Sequence, residues 1–581
     1  MTGALHRPHP GAKQMGGDAN WWRGAVIYQV YPRSFYDGND DGIGDLDGIT
    51  RKLDHIADLG VDAIWLSPHF VSPMDDFGYD VADYRDVDPI FGTLADFDAL
   101  TDAAHERGLR ILIDLVLSHT SDRHPWFAES RADRTNLKAD WYVWADAKPD
   151  GTAPNNWLSI FGGTAWAWDT RRRQYYLHNF LVSQPDLNFH NLDVQNALLD
   201  VARYWLDRGV DGFRLDTANK YFHDADLRDN PPMAPGMRVT GISPDNPYGM
   251  QQPIFSVNRP ETLAFHERLR AVMDEYPGTV TVGELGARLE GGTELADYTA
   301  PKRLHMAYSF DLLGDTFTAG HIRKTVEHAE AAGATWSSWP FSNHDVKRVV
   351  SRFGVGTKAA PMLIQLLTCL RGTPTLYQGE ELGLPEADVP YEKLRDPYGL
   401  AFWPAFKGRD GCRTPIPWEA DRPNAGFSEG EPWLPVPDDH AALAVSAQAA
   451  DPASPLNRTR AFLSWRKDRR PLLEGDIVFH DAPEPVLAFT RLPPAGANDA
   501  ERLLCLFNLG ESPLEVDTRL PDLGDAGADG IDGTNLGGGK VRLEPYGAFI
   551  GVDRTHQEGA PSGPITMDAL NGATVGARED G

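Results

Sequence analysis

The stretch RILIDLVLSH, residues 110–119, is a near-continuous apolar run of branched side chains that ends in Ser118 and His119. A strand with one wet face alternates apolar and polar residues, whereas an unbroken apolar run belongs to a strand covered on both sides. Just before it, DFDALTDAAHERG (96–108) has the spacing of an amphipathic helix. Outward from this unit the same kind of run recurs. AVIYQVYPRSF (25–35), AIWLSP (63–68), GFRLDT (212–217) and VTVGEL (280–285) are four more; AYSF (307–310), WSSWPFSNHD (336–345) and TPTLYQGEE (373–381) follow. Amphipathic segments such as VQNALLDVARYWLDRG (194–209) lie between them. Buried strands alternating with helices indicate a parallel sheet, and eight such units predict an α/β fold closed as a (β/α)8 TIM barrel.

The interval from about residue 120 to 211 is too long for a simple crossover and is rich in Trp, Asn, Asp and Gly. It predicts an inserted subdomain after strand three, over 120–187, with the barrel spanning 21–119 and 188–480. A second long, Pro-rich loop covers 229–259, where a barrel rim usually carries function. Beyond 480 the pattern changes to short strands, VLAFTRL, RLLCLFNLG and KVRLEPYGAFIG, which predict a C-terminal all-β domain, a β-sandwich over 481–554. Residues 1–20 and 555–581 are expected to be weakly ordered tails. The Gly-rich DGTNLGGGK (532–540) lacks the spacing of a phosphate loop, and Val541 stands where Ser or Thr is needed, so it is expected to be a turn.

Acidic residues number 84 against 55 basic ones, a formal charge of −29. Such a surface repels phosphate backbones and anionic membranes, which excludes nucleic acid and membrane as partners and favours a neutral substrate. The cysteines, Cys369, Cys412 and Cys505, are too few and too scattered for a disulfide framework or a Cys-based zinc site. The N-terminal residues contain no apolar signal region, and PMLIQLLTCL (361–370) is too short to span a bilayer, so a cytoplasmic monomer or small homo-oligomer is expected.

In a closed parallel barrel, chemistry sits at the C-terminal ends of the strands. Those ends supply Asp114, Ser118 and His119, then Arg214 and Asp216, then Glu284, then His344 and Asp345. Arg214 lies two residues before Asp216, on the same strand face, where it keeps that carboxylate ionised and oriented. No metal-binding HExxH occurs. What remains is carboxylate chemistry on a hydroxyl-rich substrate. Acetal cleavage needs this set: one acid for the leaving oxygen and one carboxylate beneath the anomeric carbon.

DLVLSH (114–119), GFRLDT (212–217), VGEL (282–285) and FSNHD (341–345) resemble the four signature regions of glycoside hydrolase family 13, the α-amylase family, and QPDLN (184–188) resembles its fifth. WWRGAVIYQVYPRSFYDGNDDGIGDLDGI (21–49) and RTPIPW (413–418) are similar to its oligo-1,6-glucosidase and α-glucosidase subgroup. The resemblance implies a retaining, exo-acting α-glucosidase for short, maltose-like α-glucosides, with glucosyl transfer as a companion reaction. Oligo-1,6-glucosidase and sucrose or maltose isomerase stay open as alternatives. It also implies roles: Asp216 as nucleophile, Glu284 as general acid/base and Asp345 as transition-state stabiliser. Asp76, Tyr79, His119, Arg214, His344 and Arg413 would line the terminal-sugar subsite, with Phe161 and Phe180 as aromatic walls. Thr217 borders the passage to the aglycone, and in the subgroup Thr or Ala there goes with α-1,4 linkages, Val with α-1,6. Ser118 departs from the family pattern, which has Asn before the His.

DGNDDGIGD (37–45) sets Asp37, Asn39, Asp41, the Ile43 carbonyl and Asp45 at the first five ligand positions of an EF-hand loop. Gly48 stands where an EF-hand has its bidentate Glu, so the loop is not an EF-hand. The resemblance implies one structural divalent cation here, Ca2+ or Mg2+, and no organic cofactor is expected.

Overall fold

The computed structural model describes residues 18–289, 292, 294–494, 496–497, 501–553 and 566–569. The expected N-terminal tail therefore lies outside the described residues up to residue 17. Eight parallel strands form the central sheet: β1 (Ile27–Val30), β2 (Ala63–Leu66), β3 (Arg110–Leu115), β4 (Gly212–Leu215), β5 (Val280–Leu285), β6 (Met306–Ser309), β7 (Ser338–Pro340) and β8 (Thr373–Tyr377). They are ordered β6-β5-β4-β3-β2-β1-β8-β7. A parallel bridge between Ala307 and Ser337 joins the two outermost strands and closes the barrel.

Every position of these strands is buried, which is why their sequences read as unbroken apolar runs. Side chains still alternate between two environments. Ile64, Leu66, Ile111, Ile113, Phe213 and Leu215 join the main core under the helices. Ile27, Ala63, Trp65, Leu112, Val282 and Tyr308 form a separate cluster inside the barrel. Register pairs Asp114 with Arg214, Arg214 with Val282, and Glu284 with Tyr308, so the polar side chains continue the interior columns toward the mouth.

Helix Leu94–Glu106 starts where Thr93 and Asp96 form a reciprocal capping box, and it buries Phe97, Leu100 and Ala104. Helix Leu192–Asp207 starts at the Asn191 cap, and its Trp205 donates to the Tyr84 carbonyl at 2.7 Å. The apolar run at 361–370 is a short helix, Ala360–Cys369, buried at every position; among the described residues no helix is long and apolar enough to cross a membrane.

Between β3 and β4 stand helix Pro125–Ala132 and a three-stranded antiparallel sheet (Trp144–Ala145, Trp166–Asp169, Gln174–Leu177). This insertion returns to the barrel mouth through a bridge between His119 and Asp186 and the Leu187 amide donating to the Ser118 carbonyl at 3.0 Å. At the C-terminus a five-stranded and a four-stranded antiparallel sheet follow. Their first strand, Ile477–Phe479, begins before residue 481 because it pairs with Phe489–Arg491. Thr566–Ala569, within the expected C-terminal tail, pairs as a strand with Leu514–Asp517; the remainder of 555–581 lies outside the described residues. DGTNLGGGK is a hairpin, with Gly537, Gly538 and Gly539 at φ +83°, +61° and +82°.

Arg491 ties the β domain to the barrel. Its buried guanidinium donates to the carbonyls of Cys369, Leu370, Leu472 and Gly475 at 2.7–3.1 Å. Replacing it with an apolar side chain strands these acceptors, each costing about 1–3 kcal/mol. Arg491→Met is therefore expected to lower the melting temperature by several degrees in a thermal scan. A melting temperature unchanged to within about 1 °C would show that Arg491 does not hold this junction.

Candidate active site

Asp216 stands one residue beyond β4, Glu284 lies within β5, and Asp345 follows β7 in a tight turn. All three line one cavity at the barrel mouth. Beneath them Arg214, only 1% exposed, reaches each neighbour with one guanidinium group. Its Nη1 lies 2.8 Å from Asp216 Oδ1 and 2.9 Å from Asp114 Oδ1, and its Nη2 lies 2.7 Å from Glu284 Oε1. The Tyr308 hydroxyl completes the set, 3.0 Å from Nη2 and 3.2 Å from Glu284 Oε1.

Burial pushes Asp216 up to about 7; Arg214 opposes this, and Asp114 and Asp345 reinforce it. Burial likewise pushes Glu284 up to about 7, against Arg214 and with Asp216 and Asp345. Two such carboxyls titrate as a unit, and near neutrality the pair holds a proton between them. Asp345 is different. Burial would raise it, but His344, Arg409 and Arg413 outweigh burial and hold it well below the usual carboxylate range. His344 is itself kept neutral by burial, so it acts through its ring N–H at 3.3 Å, and the positive charge comes from the two arginines.

Thr217 sits at φ +38°, a left-handed conformation that a β-branched residue adopts at a cost of order 1–3 kcal/mol. That twist turns its backbone N–H onto Glu284 Oε2 at 3.1 Å. Its hydroxyl lies 3.3 Å from Asp216 Oδ2 and 3.1 Å from Ser118 Oγ, and Ser118 Oγ is 2.9 Å from His119 Nδ1. Ser118 therefore joins His119 to the residue after Asp216.

One end of the cavity is closed by polar groups. Asp76 accepts from Gln184 Nε2 at 3.0 Å and from Arg409 Nη2 at 2.9 Å. Arg409 also donates to Asp345 at 3.1 Å and Asp396 at 2.7 Å. Asp76, Tyr79, His119, Phe161, Phe180 and Thr217 line the cavity as the sequence predicts. Phe180 meets Phe161 edge-on at 5.5 Å, and Phe161 stacks on Tyr398 at 4.9 Å. Arg214, His344 and Arg413, expected in the subsite, are buried behind the residues that line it. Tyr79 lies between His344 and the open space, its hydroxyl 2.5 Å from His344 Nε2 and its ring stacked on the imidazole at 5.3 Å. Arg413 is fully buried and donates to Asp345 at 3.1 Å and the His344 carbonyl at 2.7 Å. Arg409, four residues upstream and outside any motif, lines the cavity where Arg413 does not. Lys220, Ile242, Phe310 and Tyr398 also line the cavity and were missed; of these only Lys220, four residues past Asp216, carried a charge to flag it.

In the 37–45 loop the side chains turn onto backbone amides. Asp37 accepts from the Asn39, Asp40 and Gly42 amides and the Ser428 hydroxyl at 2.6–3.1 Å. Asn39 accepts from the Asp41 amide and Asp41 from the Ile43 amide. Asp45 caps helix Leu46–Arg51 through the Gly48 amide at 2.6 Å, and burial pushes its carboxyl up to about 6. Among the described residues no three His, Cys, Asp or Glu side chains group to hold a metal ion; the set expected here also draws on Asn39 and the Ile43 carbonyl.

Residues 29–475 match the model of the alpha-amylase catalytic domain. The "Probable alpha-glucosidase" of Rhizobium meliloti (strain 1021) is 54% identical over 541 residues, 92% of this chain and 97% of its own. The crystal structure of the alpha-glucosyl transfer enzyme XgtA superposes with a TM-score of 0.89 at 55% identity, covering 92% of this chain and 99% of XgtA. Trehalulose synthase MutB from Pseudomonas mesoacidophila MX-45 follows at 32% identity and a TM-score of 0.80, covering 92% of this chain and all of MutB (100%).

The two raised carboxyls predict a pH profile. The protonated form of Glu284 is lost as pH rises through about 7, and the ionised form of Asp216 is lost as pH falls. kcat/KM on an aryl α-glucoside is expected to be bell-shaped with its maximum near neutrality. In Glu284→Gln, measured on an aryl glucoside with a good leaving group, the alkaline limb should disappear; its persistence would assign that limb to another group.

Proposed function

We propose, from the premise that the chain belongs to the alpha-amylase catalytic-domain family, that it is a retaining, exo-acting α-glucosidase of short α-glucosides. The observation that carries this reading is the pairing of Asp216 and Glu284 on one buried guanidinium, beside a cavity end closed by Asp76 and Arg409. A closed end that offers both a carboxylate and a guanidinium suits the hydroxyls of a terminal glucose and rejects sugars that lack them.

In this reading Glu284, holding the shared proton, gives it to the glycosidic oxygen while Asp216 attacks the anomeric carbon. Asp345, kept ionised by Arg409 and Arg413, faces the positive charge that develops on the sugar. The aglycone leaves, and Glu284, now a base, draws a proton from water or from a second sugar hydroxyl as the glucosyl–Asp216 ester breaks. The apolar wall of Phe161, Ile242 and Phe310 limits water at the mouth and supports glucosyl transfer beside hydrolysis.

Proton NMR of maltose, isomaltose and sucrose digests, with starch viscometry alongside, tests the reading. α-Glucose is expected as the first anomer, with maltose cleaved faster than isomaltose, glucose and fructose formed from sucrose, and starch viscosity nearly unchanged. β-Glucose appearing first would overturn retention. A rapid fall in viscosity would overturn exo action, and an isomerised disaccharide as the main product from sucrose would favour the isomerase alternative.

The 37–45 loop is proposed to take one structural Ca2+ or Mg2+, held by Asp37, Asn39, Asp41, the Ile43 carbonyl and Asp45. Support comes from the ladder of side-chain-to-amide bonds that curls this loop, and from the buried Asp45 carboxyl, which a cation would ionise. A cation bound to the native state alone stabilises it by mass action. Chelation is expected to lower the melting temperature, and added Ca2+ or Mg2+ to restore it, with kcat little changed. A melting temperature indifferent to both would refute the site.

A further inference from the structure

Lys220 lines the catalytic cavity yet takes no part in the polar network that closes its far end. It is 3% exposed. Its ammonium donates to the Tyr248 hydroxyl at 3.2 Å and lies 5.3 Å from that ring's centre. Tyr248 belongs to the 229–259 loop, whose Gly241 and Ile242 form the same wall of the cavity. An ammonium carries three N–H donors, and one is met.

The other buried cations at this mouth are treated differently. Arg214 is met by Asp114, Asp216 and Glu284, and Arg409 by Asp76, Asp345 and Asp396. Among the described residues Lys220 has no carboxylate within ion-pair distance; Asp186, Asp216 and Glu284 act on it from farther away. Burial lowers its pKa to about 8, against those three carboxylates. A buried charge with spare donors is costly unless a ligand supplies the missing partner. Ile160, Phe161, Ile242 and Phe310 offer no such partner, and their apolar walls leave the charge weakly screened.

We propose that Lys220 binds an anionic group, a carboxylate or phosphate, on the aglycone of the α-glucoside or on the acceptor that replaces it. The proposal rests on the α-glucosidase reading above. The glucose end is already equipped with Asp76 and Arg409, so a counter-charge reaching Lys220 belongs to the group joined to that glucose. An oxyanion fits better than a sugar hydroxyl: it neutralises the charge as well as filling the donors, and charge-assisted bonds are roughly twice as strong. The carboxylates that would repel it, Asp216 and Glu284, share a proton near neutrality, and Asp186 is held by Asn179.

The test compares kcat/KM for para-carboxyphenyl α-glucoside and its methyl ester, with para-nitrophenyl α-glucoside as reference. The carboxylate-to-ester ratio is expected to fall about tenfold in Lys220→Met, the worth of one charge-assisted bond. In the wild type the same ratio is expected to fall as pH rises from about 6 to about 9, because the lysine loses its proton while the probe stays ionised. Asp216 and Glu284 also ionise over this range and repel the anionic probe, so the pH series is run beside Lys220→Arg, whose charge persists to about pH 9 and whose ratio is expected to fall less than that of the wild type. The same comparison decides the matter if Lys220→Met does not fold. A ratio unmoved by the substitution, or flat with pH, overturns the proposal while the para-nitrophenyl substrate is still cleaved. Failure to cleave that reference overturns the α-glucosidase reading itself, and this proposal with it.

Discussion

The mouth of this barrel depends on one cation. Asp114, Asp216 and Glu284 lie within hydrogen-bond reach of the Arg214 guanidinium, in a site nearly closed to water. Carboxylates gathered without it would repel one another strongly, because little solvent is there to screen them. Arg214 is seated over the Trp65 ring, 4.8 Å from its centre, inside the barrel. The alternation of strand residues therefore serves two ends: it fills the interior with Trp65, Leu112 and Val282, and it delivers the cation to the level where the carboxylates need it.

From that arrangement the remaining electrostatics follow. Asp216 and Glu284 face the same guanidinium and are both desolvated, so each holds its proton more tightly than an exposed carboxyl. Asp345 stands outside this pairing, against two arginines of its own, and stays ionised. Environment separates three chemically similar side chains into a proton-sharing pair and a permanent anion. Thr217 refines the pair: its strained backbone gives Glu284 an amide donor that no side-chain substitution removes directly.

The barrel was legible in the sequence because strands buried on both faces must be apolar throughout, as at 63–66, 110–115 and 280–285. Strand ends were equally legible, since Arg214, Asp216 and Glu284 stand out against those runs. Residues delivered by loops were not. Arg409 and Arg413 are both buried arginines on one turn, and only the path of the chain decides which faces the cavity and which backs Asp345. Phe310, Ile242 and Tyr398 reach the cavity from separate segments with no shared periodicity to announce them. The 37–45 loop has a ligand-like spacing, yet spacing does not say whether oxygens point inward to an ion or back onto amides.

Arg409 also bears on how the substrate range of this scaffold can change. The same guanidinium that closes the cavity over Asp76 and steadies Asp345 holds Asp396, the cap of helix Pro397–Phe402, and Asp396 in turn accepts the Arg409 amide at 2.7 Å. Opening that end to longer chains would leave Asp76 and Asp396 without this counter-ion at once. Divergence toward extended polymers through this wall therefore meets a stability threshold, while the apolar Ile242 and Phe310 carry no ion pairs to lose. New acceptors are the accessible evolutionary direction, and new chain lengths the guarded one.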